Sequence, residues 1–367
     1  LNQRPTYHSK TMKKQLVLFL LFAGIYTQVH AQKFSYDVDF ITYFDNREYQ
    51  SALQPSQTIF GTRLSPEIGV IFNDSLGGTH KLMAGVSYIQ PFGAQWQAAK
   101  LIPTVYYQYK QSGFTVSLGA IPYTHLQHAL PDYLMSDSMS FAYPNIQGAL
   151  FQYQSKWGFA EFLCDWRGLP SSTTREAFRL IVNGQFHYNW FLAGGYGQLN
   201  HLANKSSDQP NLGVCDDSYV NPFIGVDFSN KTPFDSLSLK LGYLVGMQRD
   251  RKQNRTYTPQ GATIDLFARW KFLGIQNRLY VGDNLMPLYG TYGTLLNQGN
   301  AFYQSPIYNR TDLMIYIIQR PFVNCYFAWN LHYTKGEKLG HQQQLVVHFN
   351  LDAIKHNSGR LQNLFDK

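Results

Sequence analysis

The chain has 367 residues and a formal net charge of +8, and only 15% of its residues are charged whereas 16% are aromatic. Its mean hydropathy of −0.29 excludes a bundle of membrane-spanning helices, and its three cysteines are too few for a disulfide framework. Residues 1–31 hold four basic and no acidic residues, so without them the formal charge falls from +8 to +4. The basic balance therefore does not indicate a nucleic-acid partner.

The amino terminus has the three parts of an export signal. Met12-Lys13-Lys14 is a short basic segment, residues 16–25 form an apolar run, and Val29-His30-Ala31 is a small-x-small cleavage site. We predict a signal peptide over residues 12–31, cleaved before Gln32. Residues 1–11 are predicted to be an upstream, non-native extension.

After this segment, apolar residues recur at every second position in stretches of about ten residues. In residues 264–270, for example, Leu266 and Ala268 alternate with Asp265, Phe267 and Arg269. A period of two places the two sets on opposite faces of a β-strand. The apolar face contacts a core in a soluble protein and lipid in a transmembrane barrel.

Sixteen strands of this kind are predicted, and no convincing amphipathic helix precedes the carboxyl-terminal tail. Their approximate spans are 33–44, 58–72, 81–90, 101–110, 113–121, 145–154, 158–167, 177–188, 190–199, 219–228, 236–248, 261–272, 275–282, 310–318, 322–333 and 342–351.

The connections between these strands alternate in length. Those after even-numbered strands are mostly short, whereas those after odd-numbered strands are mostly longer and polar, and include 122–144, 200–218, 249–260 and 283–309. Outer-membrane barrels have tight periplasmic turns and long external loops. Aromatic residues gather near the strand ends, such as Trp190 and Trp270 at the lower rim and Trp166 and Trp329 at the upper rim. We therefore predict an all-β fold: a transmembrane, antiparallel, up-and-down β-barrel of about 16 strands (14 possible) over residues 32–351.

The signal peptide, alternating strands, loop asymmetry and aromatic rims resemble those of Gram-negative outer-membrane porins over roughly residues 33–351. This resemblance implies a location in the cell outer membrane, contact with its lipid and lipopolysaccharide, insertion by the barrel-assembly machinery, and a possible homo-oligomer. The last strand, Gln344 to Leu351, is similar to the terminal strand which that machinery reads, although the chain does not end on an aromatic residue. Residues 352–367 are predicted to be a periplasmic tail.

The inward face of the predicted barrel carries seven basic and seven acidic residues, so its net count favours neither anions nor cations. These lumen-lining candidates are Asp37, Asp39, Arg63, Glu67, Lys81, Glu161, Asp165, Arg167, Arg179, Asp227, Lys240, Asp265, Arg269 and Lys271. A barrel of this size has room for water, so the first functional hypothesis is a porin-like channel for passive passage of small polar solutes. The alternative is that the charges pair with one another and fill the lumen.

Two loops contain further candidates. Loop 122–144 combines Asp132 and Asp137 with apolar residues, which suits a constriction folded into the barrel, or else a surface loop with its own small core. Loop 249–260 carries a basic cluster that suits lipopolysaccharide phosphates or anionic solutes, or else is simply solvated. Its members are Arg249, Arg251, Lys252 and Arg255.

Two other functions stay open. A receptor, adhesin or assembly barrel could bind surface carbohydrate through the Tyr- and Asn-rich loop 283–309. A lipid-modifying enzyme would need a nucleophile and a histidine together on the lipid-facing surface. The strand histidines His187, His332 and His348 all fall on the inward face, and the others are assigned to loops, turns or excluded segments, which argues against an enzyme. No motif indicates a cofactor or a metal site.

Overall fold

The computed structural model describes residues 33–171, 173–203 and 213–351. The predicted signal peptide, the upstream extension and the tail at 352–367 lie outside these residues. Seventeen strands lie within the described residues. They are β1 (Lys33–Glu48), β2 (Gln57–Asn73), β3 (Thr79–Pro91), β4 (Lys100–Gln111), β5 (Phe114–Pro122), β6 (Asn145–Ser155), β7 (Gly158–Gly168), β8 (Ala177–Tyr188), β9 (Phe191–Leu202), β10 (Cys215–Asp227), β11 (Ser236–Asp250), β12 (Arg255–Tyr257), β13 (Gln260–Trp270), β14 (Leu273–Gly282), β15 (Ile307–Arg320), β16 (Val323–Thr334) and β17 (Gly340–Asn350).

Helical structure in the described residues is confined to short segments outside the barrel strands. These segments are α1 (Asp137–Ala142), α2 (Tyr289–Tyr292), and the 3₁₀ turns Trp96–Ala98, Tyr123–His125, Gly293–Leu295 and Ala301–Gln304. None of the described helices has the length and hydropathy that crossing a membrane requires.

The strands form one closed antiparallel sheet. Each barrel strand pairs with the next along the chain, and β1 pairs with both β2 and β17, which closes the barrel. The three-residue β12 lies in the connection between β11 and β13, which pair directly with each other. Sixteen strands therefore make the wall, as predicted, and a closed sheet leaves no edge with unpaired backbone groups.

The alternation in sequence becomes an alternation between the two surfaces of the wall. The outward side chains of Val182 and Val220 are 55% and 59% exposed, whereas the neighbouring Asn183 and Asn221 point inward and are 2% and 5% exposed. This arrangement is inverted relative to a soluble sheet, because the apolar residues are outside and the polar ones inside. Lipid is the solvent that suits the outer surface.

The two ends of the barrel differ as predicted. One end has mostly tight turns such as Ser112–Gly113, whose positive φ values of 46° and 86° suit a two-residue hairpin. The other end carries the longer connections 123–144, 203–214 and 283–306. We assign the end with tight turns to the periplasm and the end with long loops to the outside.

Several strands extend beyond the predicted limits, mainly at the extracellular end. β9 continues to Leu202, β11 continues to Asp250, β10 begins at Cys215, and β17 begins at Gly340. The backbone ladder continues there although polar and apolar residues no longer alternate, as in Asn200–His201 and Asp216–Asp217. Hydrophobic alternation therefore stops before hydrogen bonding does.

Candidate functional site

Thirteen of the fourteen lumen-lining candidates lie on the inner face of the wall. They are Asp37, Asp39, Arg63, Glu67, Lys81, Glu161, Asp165, Arg167, Arg179, Asp227, Lys240, Asp265 and Arg269. Several are buried and bonded to one another, as in the pair Arg179 Nη2–Asp165 Oδ2 at 3.4 Å. Others bind amides or hydroxyls, as where Tyr106 donates to Glu67 at 3.2 Å.

The prediction that Lys271 lines the lumen is wrong. The residue occupies the turn after β13, has a φ of 54° and is exposed. Its ammonium lies 4.8 Å from the ring centroid of Trp270, an outward-facing residue. The turn ends the alternation that the prediction assumed to continue.

Loop 123–144 enters the barrel, and an ion-pair network inside the wall holds it there. Asp132 pairs with Arg278 and Arg310 at 2.6 and 2.9 Å. Asp137 pairs with Arg310 at 2.8 Å, and Asp312 pairs with Arg310 at 2.7 Å. The two arginines and Asp312 were not among the predicted lumen-lining residues, although their positions along β14 and β15 place them on the inward face.

Apolar side chains of two loops form a core with the inner wall. Leu134 of loop 123–144 and Met286 of loop 283–306 are 2% and 0% exposed, and they belong to one cluster with inward wall residues such as Ile146 and Tyr219. Buried apolar contacts of this kind leave little room for water. The loops therefore occupy the barrel interior instead of leaving it open.

A cavity of about 170 Å³ with a mixed polar and apolar lining lies within the barrel. Asp227, Lys240 and Asp265 line its walls, and Tyr133 and Tyr303 of the inserted loops also contribute. The Lys240 ammonium lies 5.0 Å from the ring centroid of Phe223. These charged groups belong to the lower halves or middle of their strands, which places most of the cavity toward the periplasmic side.

The outer surface carries three histidines that the sequence analysis assigned to turns or loops. His80, His201 and His341 lie within β3, β9 and β17, and each has the outward parity of its strand. The prediction that strand histidines face only inward is therefore wrong. Each lies one or two residues beyond a predicted strand limit.

Two of these outward histidines, His201 and His341, lie at the extracellular rim, and His201 is the one with a carboxylate partner among the described residues. Its Nδ1 lies 2.8 Å from Asp216 Oδ1, directly across the β9–β10 pair. The other carboxylate oxygen, Asp216 Oδ2, accepts from Arg251 Nε at 2.9 Å and pairs with its Nη2 at 2.8 Å. The Nε2 atom of His201 has no hydrogen-bond partner among the described residues. An oriented imidazole with one free nitrogen can exchange a proton with a substrate or water.

Aromatic rings extend this site along the outer wall. The ring of Phe178 lies 5.1 Å from that of His201, and Trp166 stacks on Phe178 at 5.4 Å. Phe178 faces His201 across the β8–β9 pair. The site thus joins a polar rim to an apolar surface, which suits a lipid with a polar head and acyl chains.

The basic cluster is divided between a strand and a loop. Arg249 was predicted in the loop but lies on β11, opposite Asp216 of β10. Arg251 and Lys252 occupy the turn after β11, and Arg255 begins β12. All four residues are exposed, so they place positive charge next to the His201–Asp216 pair. Asp217, adjacent in sequence, points inward to Gln198 and Gln248 and is not part of this site.

No metal-binding cluster accompanies the site in the described part of the chain, where no group of three or more His, Cys, Asp or Glu side chains converges. The arrangement that the described residues do provide is a histidine, a carboxylate and a guanidinium in a hydrogen-bonded series.

Solved structures of similar fold are outer-membrane barrels. OpdL of Pseudomonas aeruginosa has a TM-score of 0.52 and 11% identity, with 87% of this chain and 99% of that chain covered. OccAB4 of Acinetobacter baumannii has a TM-score of 0.51 and 10% identity, with coverage of 88% and 98%. A loop L8 deletion mutant of OmpT, an outer membrane protein of Vibrio cholerae, has a TM-score of 0.53 and 8% identity, with coverage of 87% and 99%. At these identities the likeness establishes the fold alone.

Sequence comparison adds the family. No curated protein matches the chain. A family profile described as lipid A 3'-O-deacylase-type matches residues 26–361, which is most of the chain. The protein is an outer-membrane β-barrel that belongs to the lipid A 3'-O-deacylase-type family.

Proposed function

We propose that the protein hydrolyses an acyl ester of a lipid A-type lipid at the extracellular rim of its barrel. The observation that carries this proposal is the outward-facing His201–Asp216 pair, joined to Arg251 and bordered by the outward-facing rings of Phe178 and Trp166. Family membership supports the reaction class. The position supports the substrate class, because an outward site at this rim meets the outer leaflet, where lipopolysaccharide lies.

In the proposed reaction, His201 is the general base. Its Nε2 accepts a proton from water, and the resulting hydroxide attacks the ester carbonyl carbon. The bond between the carbonyl carbon and the sugar oxygen then breaks, and the protonated His201 gives its proton to the leaving sugar alkoxide. The products are a fatty acid and a free sugar hydroxyl. Asp216 holds the imidazole in the tautomer whose Nε2 can accept the proton, and stabilises its protonated form.

The residues around the pair fit the two ends of such a lipid. The exposed cations Arg249, Lys252 and Arg255 suit anionic groups of the head, and Phe178 and Trp166 suit an acyl chain. The hydroxyl of Ser218 lies on the same outward face, since Ser218 pairs with Leu199 beside His201. Water is the simpler nucleophile, because a serine would need a second deacylation step.

The direct test is to produce the full chain in the outer membrane of a Gram-negative host and analyse its lipid A by mass spectrometry. We expect loss of one ester-linked acyl chain and release of the corresponding fatty acid. The His201→Gln variant, inserted at equal level, should leave lipid A unmodified. An unchanged lipid A profile with the folded wild-type protein would refute the proposal.

A passive channel is a second candidate, favoured by the cavity inside the barrel and the charged groups that line it. The inserted loops oppose this function, because solutes would have to pass the apolar core that they form with the wall. Single-channel recording in a planar bilayer tests it. Stable conductance steps from the wild-type protein would support a pore, whereas silence would leave ester hydrolysis as the better proposal.

A further inference from the structure

A cavity of about 370 Å³ lies inside the extracellular mouth, on the inner side of the wall that carries the rim site. Ala177 and Leu202 line the cavity, whereas Phe178 and His201, the adjacent residues, face outward. The cavity is therefore separated from the proposed reaction site by the thickness of the wall. Its polar lining includes Asn145, Asp165, Arg167, Thr174, Arg175 and Gln298.

Arg167 brings an unpaired positive charge to this cavity. Its Nη2 donates to Asn200 Oδ1 at 2.5 Å and to the carbonyl of Leu295 at 3.2 Å. Its Nε is buried without a partner among the described residues. No carboxylate of the described chain lies within ion-pair distance of it. Its described hydrogen bonds are therefore to neutral acceptors, and its charge has no ion-pair partner among the described residues.

Arg175 also lacks an ion-pair partner among the described residues. Its Nε donates to the carbonyl of Ala203 at 2.6 Å, its Nη2 donates to the carbonyl of Gly213, and its guanidinium lies 5.4 Å from the ring centroid of Tyr292. Its Nη1 has no partner among the described residues, although the residue is only 6% exposed. It forms no ion pair with the carboxylates of the described residues.

The one carboxylate that lines the cavity is already engaged. Asp165 accepts from Tyr123 at 2.6 Å and pairs with Arg179 at 3.4 Å. Among the described residues, three guanidinium groups thus share one carboxylate in this part of the mouth. A buried cation without a counter-charge is costly, so an anion with several acceptor oxygens would stabilise the pair Arg167 and Arg175.

The cavity also offers acceptors to the rest of a ligand. Asn145 Oδ1 and Gln298 Oε1 are buried without partners among the described residues, and the amide nitrogen of Asn145 is already used as a donor to Pro103 and Thr104. Free amide oxygens next to free guanidinium donors suit a molecule that carries both an anionic group and hydroxyls. We propose that this mouth cavity binds a phosphate monoester of a sugar.

The test is isothermal titration calorimetry on the full chain in detergent micelles, with glucose 6-phosphate, inorganic phosphate and glucose as separate probes. We expect glucose 6-phosphate to bind most tightly, phosphate more weakly, and glucose without measurable heat. The double variant Arg167→Gln/Arg175→Gln should lose at least about tenfold in affinity for glucose 6-phosphate, because two charge-assisted hydrogen-bonding groups are removed.

The matched control is Lys335→Gln/Lys338→Gln, which removes the same charge from an extracellular connection away from the cavity. The affinity of this control for glucose 6-phosphate should stay within about twofold of wild type.

Gln298→Glu places a carboxylate beside the arginines, so it should also weaken phosphate binding while the barrel stays folded, as judged by its heat-modified gel mobility. Wild-type protein that binds neither anion, or a folded double variant with unchanged affinity, would overturn the proposal.

A competition arm distinguishes two sources of the phosphate monoester. Purified lipopolysaccharide should displace glucose 6-phosphate if the ligand is a lipid headgroup, and should leave its binding unchanged if the ligand is a free solute. Because this readout is binding and not ester cleavage, it is independent of whether the rim site is catalytic.

Discussion

The outer surface has a histidine–aspartate pair at each rim, and the two pairs differ in whether one imidazole nitrogen is left without a partner among the described residues. At the periplasmic rim, His80 Nε2 contacts Asp74 at 3.0 Å and its Nδ1 contacts the Tyr107 hydroxyl at 2.7 Å, so both nitrogens are occupied. At the extracellular rim, His201 Nδ1 contacts Asp216 at 2.8 Å, and Nε2 has no hydrogen-bond partner among the described residues.

The two aspartates differ in the other groups that they bind. Asp74 accepts from the backbone N–H groups of Leu76 and Gly78, both at 2.8 Å, and so closes the turn between β2 and β3. Asp216 instead accepts from the guanidinium of Arg251. A histidine and an aspartate in contact therefore do not by themselves indicate catalysis. The free nitrogen and the nearby cations distinguish the extracellular pair, whereas the periplasmic pair is a structural element of a turn.

The largest expected effect separates the two histidines. His201→Gln should reduce the rate of acyl ester hydrolysis by about 10²- to 10⁴-fold, because the general base is lost. The matched change His80→Gln should leave the rate within about twofold of wild type. The rate of fatty acid release from lipopolysaccharide in micelles measures both, and an equal loss in the two variants would break the comparison.

The next largest difference is expected between substitutions of the two aspartates, in their effect on kcat. Asp216→Asn keeps the shape of the site but replaces the carboxylate that orients His201, so we expect a loss of at least about tenfold in kcat with little change in KM. Asp74→Asn should leave both constants unchanged. If Asp216→Asn retains full kcat, the carboxylate does not orient a catalytic imidazole.

A smaller effect is expected for Arg251→Gln, which removes the charge that holds Asp216. The side chain of Arg251 is 54% exposed, so solvent weakens the interaction. We expect a loss of about three- to tenfold in kcat/KM, which Arg251→Lys restores in part. A loss as large as that of His201→Gln would mean that the guanidinium contacts the reacting atoms itself.

The smallest expected effect concerns pH and the periplasmic turn. The backbone N–H of Gly78, the side chain of His80 and the backbone N–H of Leu76 together hold the pKa of Asp74 below its ordinary value. The contribution of Asp74 to the turn is therefore present above its unfolded pKa of about 4 and is lost as pH falls through its lower folded pKa. Hydrogen exchange should show the Gly78 amide opening more often in acid, and Asp74→Asn should remove this pH dependence.

Much of the wall could be predicted from the sequence because successive side chains of a barrel strand alternate between the lipid-facing surface and the inner surface. The alternation in residues 264–270 places Asp265 inward and Leu266 outward, and the observed pairing of Asp265 with the inward Lys240 agrees with it. The same rule failed at the strand ends. His201 follows Asn200 and His341 precedes Gln342, so the alternation of polar and apolar residues has already ended there and did not mark them as strand residues.

The sequence by itself determined the barrel, its sixteen wall strands and the face on which most wall residues lie, since these depend on local periodicity and on turn length. Only the tertiary structure decided that Asp132 meets Arg278 and Arg310, residues about 150 and 180 positions away along the chain. It also decided that His201 meets Asp216 across a connection. Contacts between distant segments depend on how the loops fold back into or onto the wall, and no local pattern of residues encodes that path.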